Sequence, residues 1–215
     1  ELSVGSFPLL LGGDHSMAVG SISAVARHCR AAAKPLHVIW LDAHADYNTV
    51  HTSPTGNLHG MPLAFLCGEG PPELTHMAGF CPAVPVENIQ QIGVRSIDPL
   101  ELVRVGQTHL HVFTMAQIEA MGMGAVVQAV LAGIPNDAHV HLSFDVDCLD
   151  PELAPGVGTP VADGPDFHTV KQCLQGIAQS GLLGSMDLVE LNPVQDRNAK
   201  TTGLVLELMA ALFTE

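Results

Sequence analysis

The sequence predicts an α/β domain with a mainly parallel sheet, and three observations carry that expectation. Short apolar runs such as LHVIWL (Leu36–Leu41) alternate with stretches of helical spacing. The 215 residues are 47% hydrophobic but only 4% aromatic, which suits aliphatic α/β packing better than an aromatic-rich β-sandwich. The 21 Gly and 15 Pro supply frequent turns between the runs.

The elements read in order as follows. Phe7–Leu11 is a short apolar strand ending in Gly12-Gly13, and Ser16–Ala33 has helical content. Leu36–Leu41 is a buried strand followed by a polar loop, Asp46–Leu58, rich in Thr, Ser, Pro, Gly and Asn. His59–Leu66 reads as helical, Gly68–Pro85 as connection, Ile89–Val94 as a strand and Pro99–Val105 as a short helix. His109–Phe113 is a strand before one long helix, Met115 to Ala132. Ala138–Phe144 is strand-like, Asp166–Ser180 a helix, Leu182–Leu188 a strand and Lys200–Phe213 a closing amphipathic helix. Strands separated by helices imply βαβ units with both sheet faces covered. Right-handed crossovers align the strand C-termini along one edge, where open α/β sheets bind ligands. No repeat or linker divides the chain, so residues 1–215 read as one domain. It opens at Glu1 and runs at once into an apolar strand, from which upstream sequence is expected.

Composition excludes several classes of function. With 22 acidic and 8 basic residues the formal charge is −14, the wrong sign for nucleic acid or an anionic membrane surface and the right one for cations. The 5 cysteines are scattered and never spaced C-x-x-C, so a reducing, cytoplasmic setting is expected rather than a disulfide scaffold. No apolar run approaches the roughly 18–20 residues of a membrane span.

Three segments each follow a predicted strand: Gly12-Gly13-Asp14-His15-Ser16, Asp42-Ala43-His44-Ala45-Asp46, and Ser143-Phe144-Asp145-Val146-Asp147 running on to Asp150-Pro151. In extended chain, alternate residues share a face, so Asp42, His44 and Asp46 would converge while Ala43 and Ala45 turn away. Asp145 and Asp147 repeat the pattern. Each segment alone reads equally well as a loop or a helix cap. Among them Asp42, Asp46, Asp145 and Asp147 collect four carboxylates, whose mutual repulsion a metal cation resolves. With His15 and His44 this is a hard, oxygen-rich set suited to Mn2+, Fe2+ or Co2+ rather than thiolate zinc. Six ligands exceed what one open catalytic ion uses and suit two ions sharing carboxylates.

GGDHS, DAHAD and SFDVDCLDP resemble the three metal signatures of the ureohydrolases, the arginase/agmatinase family, and the likeness runs from Phe7 nearly to the C-terminus. The resemblance implies a three-layer α/β/α fold of the arginase/deacetylase type, two Mn2+ per chain, a homo-oligomer (trimer or hexamer), and hydrolysis of a guanidinium substrate to urea. It implies that His15 and Asp46 bind one ion, that His44 and Asp147 bind the other, and that Asp42 and Asp145 bridge them, with Asp14 orienting the loop. Asn48 and the run Thr55-Gly56-Asn57-Leu58-His59-Gly60 resemble the arginase branch, with L-arginine as substrate. There Asn48, Thr55 and nearby Ser53 would clamp the α-carboxylate, Asp98 would bind the α-ammonium and Glu190 the guanidinium. His59 would relay protons, Asp46 would accept the proton of the attacking water, and Thr159 would support the metal site.

Two positions depart from the family pattern: Thr55 stands where many arginases have Ser, and Ser96 where some members have Asp. Relative to full family members, a strand–helix segment ahead of GGDHS is also lacking. The alternatives are an agmatinase or other guanidino hydrolase, a single-zinc deacetylase-like hydrolase that would leave His15 and Asp46 without a purpose, and a non-catalytic metal-binding subunit.

Overall fold

The computed structural model describes residues 2–213. Six strands form one parallel sheet: β1 (Leu9–Leu11), β2 (Leu36–Leu41), β3 (Ile89–Val94), β4 (His111–Thr114), β5 (His139–Asp145) and β6 (Leu183–Val189). The helices are α1 (Ala18–Ala31), α2 (Pro62–Leu66), α3 (Pro72–Thr75), α4 (Pro99–Val105), α5 (Met115–Met121), α6 (Met123–Ala132), α7 (Phe167–Gln179) and α8 (Lys200–Phe213).

Pleat alternation sorts the core into two halves. Ile39, Leu41, Ile92, Leu142, Phe144 and Met186 pack with the apolar stripes of α5, α6, α7 and α8. On the other face Leu36, Val38, Trp40 and Ile89 pack with α1 and α2. The result is a three-layer α/β/α arrangement. Helix starts are tied down locally. Asp166 caps α7 through Thr169 N–H, Asp98 and Glu101 form a reciprocal capping box on α4, and the Asp196 carboxylate accepts from the first backbone N–H groups of α8.

Strand order decides where a ligand can sit. The order is β1-β6-β5-β2-β3-β4. From β2 the chain steps outward through β3 to β4, then returns to lay β5 on the opposite flank of β2. The loops leaving β2 and β5 therefore diverge, opening a crevice at their C-terminal ends. Both ends carry the acidic segments.

Several elements differ from the sequence expectation. The first strand shortens to Leu9–Leu11 at the sheet edge, and the fourth shifts to His111–Thr114. The segment expected as one helix over His59–Leu66 is a 3-10 turn, Leu58–Gly60, then α2. Pro62 lacks an N–H and begins α2 at the position that tolerates this. The helix expected over Met115–Ala132 breaks at Gly122, whose φ of +82° favours glycine, and α5 and α6 bend by 105°. The bend lets Met115 and Ile118 of one piece and Val126 and Val130 of the other reach the same core. No single helix among the described residues is long and apolar enough to cross a membrane.

Candidate metal centre

Two turns of the same design build the centre. At the end of β2, Asp42 Oδ1 accepts from the backbone N–H of His44 at 2.7 Å. At the end of β5, Asp145 Oδ1 accepts from the backbone N–H of Asp147, also at 2.7 Å. Each aspartate curls its own chain by the side-chain-to-backbone bond that short carboxylates make. Asp42–Asp46 is therefore not the extended run expected from its spacing. The strand stops at Leu41, His44 bridges to Ser96, and Asp46 takes a left-handed φ of +48°. Its side chains still converge, while Ala43 and Ala45 are fully buried.

The second oxygens of both turns face His15. Its Nδ1 lies 3.1 Å from Asp42 Oδ2, 3.3 Å from Asp46 Oδ2 and 3.0 Å from Asp145 Oδ2. This nitrogen is buried and makes no hydrogen bond of normal geometry. Once this nitrogen gives up any proton, the carboxylates around its lone pair would form with it a donor set for a cation. The tautomer that frees Nδ1 carries its proton on Nε2, which then donates to Ser143 Oγ at 2.8 Å. The ring stacks on Trp40 with centroids 3.8 Å apart, and Trp40 Nε1 donates to Asp42 Oδ2. A second cluster lies beside the first. His44 Nδ1 is 3.5 Å from Asp42 Oδ1 and 3.2 Å from Asp147 Oδ2, and Thr159 donates to that Asp147 oxygen at 2.9 Å. Donor atoms of His15, Asp42 and Asp145, and separately of Asp42, His44 and Asp147, lie close enough to share an ion each. Asp42 belongs to both.

Charge and burial set the protonation. Burial alone would lower His15, but Asp145, Asp42 and Asp46 raise it well above its ordinary value. Burial likewise opposes His44, yet Asp147 and Asp42 push it up to about 11. Burial raises Asp46, with Asp42 adding repulsion, and raises Asp145, with Asp147 and Asp42 adding to it. Asp42 is held low despite its burial because it touches both imidazoles. These shifts all favour extra positive charge among the carboxylates, and a metal cation held here would supply it in place of protons. Two imidazoles and four carboxylates in this geometry fit a hard divalent ion such as Mn2+.

A cavity of roughly 250 Å³ opens over this centre. Its walls include every sequence-predicted site residue except Asp42, which is fully buried beneath it. Glu190 sits in a left-handed conformation at φ +64°, and its Oε1 accepts from the backbone N–H of His15 at 2.8 Å. His59 Nδ1 lies 3.7 Å from the same oxygen. Along the wall, Asn48 Nδ2 donates to Asp98 Oδ2 at 2.9 Å. Ser53 Oγ accepts from Gly56 N–H and Thr55 Oγ1 from Asn57 N–H, so both hydroxyl protons remain for a ligand. Asp14 does not reach the centre; it caps the turn at His15 through Ser16 N–H.

Sequence reasoning missed Glu101, Asn57 and Trp40. Glu101 lines the cavity and accepts from the backbone N–H groups of Tyr47 and Asp98. Its signal was the spacing Asp98-x-x-Glu101, the pattern of a capping box. Asn57 lay within the polar loop run without a role of its own.

Comparison with known proteins gives the family. The Arginase family profile matches residues 1–214. An arginase of Brevibacillus brevis is 44% identical over 213 residues, covering 99% of this chain and 70% of the relative. The crystal structure of arginase from Bacillus cereus superposes with a TM-score of 0.94 at 42% identity, over 100% of this chain and 73% of that one. The proclavaminate amidino hydrolase of Streptomyces clavuligerus is more distant, with a TM-score of 0.74 at 27% identity over 95% of this chain and 61% of its own. The profile match across residues 1–214 and the arginase relatives, of which this chain spans about 70%, show that the chain belongs to the arginase family, metal-dependent hydrolases of the guanidino C–N bond.

Proposed function

We propose that this chain hydrolyses L-arginine to L-ornithine and urea with two manganese ions. His15, Asp42, Asp46 and Asp145 would hold one ion, and His44, Asp42, Asp145 and Asp147 the other. Bound manganese supplies an acidified water as nucleophile and positive charge for the transition state.

The protein's own groups orient and exchange protons. Glu190 has one oxygen engaged by His15 N–H, and the other is available to a guanidinium. Burial raises the Glu190 pKa, and a paired guanidinium would return the carboxyl to its charged form. Asp46 lines the cavity, and its carboxylate would accept the proton of the attacking water. His59, 30% exposed and beside Glu190, carries protons between the departing amine and solvent.

One observation carries the choice of arginine over agmatine: the hydrogen-bonded pair Asn48–Asp98 on the cavity wall. An amide donor next to a carboxylate acceptor suits a ligand end bearing both carboxylate and ammonium. Agmatine lacks the carboxylate and would leave the second N–H of buried Asn48 without a partner, at roughly 1–3 kcal/mol, while the exposed Thr55 hydroxyl would turn to water. The expected preference in kcat/KM is about ten- to a hundredfold for L-arginine. Asn48→Ala with Thr55→Ala should narrow it by harming arginine. Equal efficiency on agmatine would overturn the substrate and leave the ureohydrolase chemistry in place.

A further inference from the structure

We infer that Arg95 is a positioning residue for one half of the metal centre, holding Asp147 so that the ion of the Asp42–His44–Asp147 cluster binds tightly. The inference rests on the two-ion reading above.

Arg95 follows β3 and is half-buried. Its guanidinium makes no ion pair among the described residues, and its hydrogen bonds all go to backbone carbonyls. Nη1 donates to Gly93 O at 3.2 Å and Cys148 O at 3.0 Å. Nη2 donates to Asp147 O at 3.1 Å, Leu149 O at 3.3 Å and Val161 O at 2.8 Å. Nε donates to Ala162 O at 2.9 Å. A guanidinium has five N–H groups in a rigid fork, and here all are engaged. Arginine usually meets a carboxylate, and several lie nearby in the cluster. Its direction toward carbonyls gives it a different task, which is to gather chain segments.

The segments are specific. Three successive carbonyls, from Asp147 to Leu149, turn toward one guanidinium, fixing the backbone that carries the Asp147 side chain. The carbonyls of Val161 and Ala162 anchor the loop bearing Thr159, which donates to Asp147 Oδ2. The backbone N–H groups of Arg95 and Ser96 both donate to Ala43 O, between Asp42 and His44. The Arg95 side chain therefore ties the Asp147 and Thr159 segments to the end of β3, whose backbone in turn holds Ala43 between the other two donors. It makes no hydrogen bond to His15, Asp46 or Asp145. The surroundings are shaped for it: a Cβ on Gly164 would lie 2.7 Å from Arg95 Nη2 and 2.6 Å from Asp150 N.

The test is manganese titration of the full chain after chelator treatment, with thermal unfolding in chelator as a second readout. Wild type should bind two ions. Arg95→Lys keeps the charge but has fewer, differently aimed donors, and should weaken one ion about 10–100-fold while leaving the other unchanged. Arg95→Met should weaken it further, and Gly164→Ala should act in the same direction. If Arg95→Met fails to fold, the lysine and Gly164 variants carry the test. Double variants assign the site. In an Asp147→Ala background Arg95→Lys should add nothing, whereas in a His15→Ala background it should still weaken the remaining ion. Two unchanged ions in Arg95→Lys, or both weakened equally alongside a lowered melting temperature, would overturn the inference and leave the two-ion reading intact. A wild type that binds a single ion would overturn both.

Discussion

Val140, Leu142 and Phe144 lie on one face of β5, and His139, His141, Ser143 and Asp145 on the other. Both faces are buried. On the first, β5 meets aliphatic residues of β2, β6, α6 and α7, and any close-packed hydrophobe would serve. On the second, hydrogen bonds link the strands residue by residue. His139 meets Ser185 at 2.8 Å, Ser185 meets His141 at 2.9 Å, His141 meets Asp187 at 3.0 Å, and Ser21 of α1 donates to Asp187 at 2.6 Å. Further up the same row Ser143 meets His15, and the strand ends at Asp145. Non-directional burial closes one face, and a row of hydrogen-bonded polar groups, with only Asp187 Oδ1 and His15 Nδ1 of those named left without a partner, closes the other. One strand thus divides stability from chemistry between its odd and even positions. Alternation of this kind ordinarily marks a half-solvated strand, but here the polar half leads to the candidate metal centre.

Substitutions on the two faces should therefore fail differently. The largest effect is expected from Phe144→Ala. Removing a fully buried ring from the aliphatic face should cost about 3–5 kcal/mol in thermal or chemical unfolding, while the folded fraction keeps its full manganese content. Loss of metal without loss of stability would show that the faces are not separable.

Next is Asp145→Asn on the polar face. Burial and two neighbouring carboxylates disfavour the Asp145 charge, so in chelator the variant should be at least as stable as wild type. With manganese a hundredfold above its Kd, wild type should gain about 2.7 kcal/mol that the variant does not. An equal manganese-induced gain in the two proteins would remove Asp145 from the donor set.

The smallest effect sharpens the comparison at the base of the row. Burial, with His141, His28 and Lys34 nearby, lowers His139 to about 4 from an ordinary 6.5. The folded protein therefore binds this proton less readily than the unfolded chain. The contribution is fully present above pH 6.5 and is lost as pH falls toward 4. In chelator, His139→Gln should flatten the pH dependence of unfolding there by up to about 1.4 kcal/mol per pH unit. An unchanged slope would mean that His139 titrates normally.

Local features were the most legible in the sequence. β2, β3, α4 and α8 match their expected bounds because each is a compact run of uniform period, and Pro35 before β2 and Pro99 and Gly106 at the ends of α4 sharpen the edges. The break at Gly122 was hidden because Met115, Ile118, Val126 and Val130 keep an apolar rhythm on both sides of it. Strand order was not legible, since pairing β5 between β2 and β6 depends on contacts distant in the chain. In the site, the three acidic segments were visible because each is continuous. The stacking of Trp40 on His15 crosses between elements, and the bonds of Arg95 go to carbonyls, which every residue type possesses.

The left-handed backbone at Asp46 and Glu190 also limits how this cavity can be redesigned. Left-handed geometry costs an ordinary L-residue roughly 1–2 kcal/mol, least for Asn and Asp and most for β-branched residues. A library that randomises both positions will therefore be filtered by backbone before it is filtered by chemistry. Val, Ile and Thr should vanish from the folded pool at positions 46 and 190, and Gly, Asn and Asp should be enriched. Attempts to retarget the site to other cations are better directed at Ser53, Thr55 and Ser96, which line the same cavity without positive φ values.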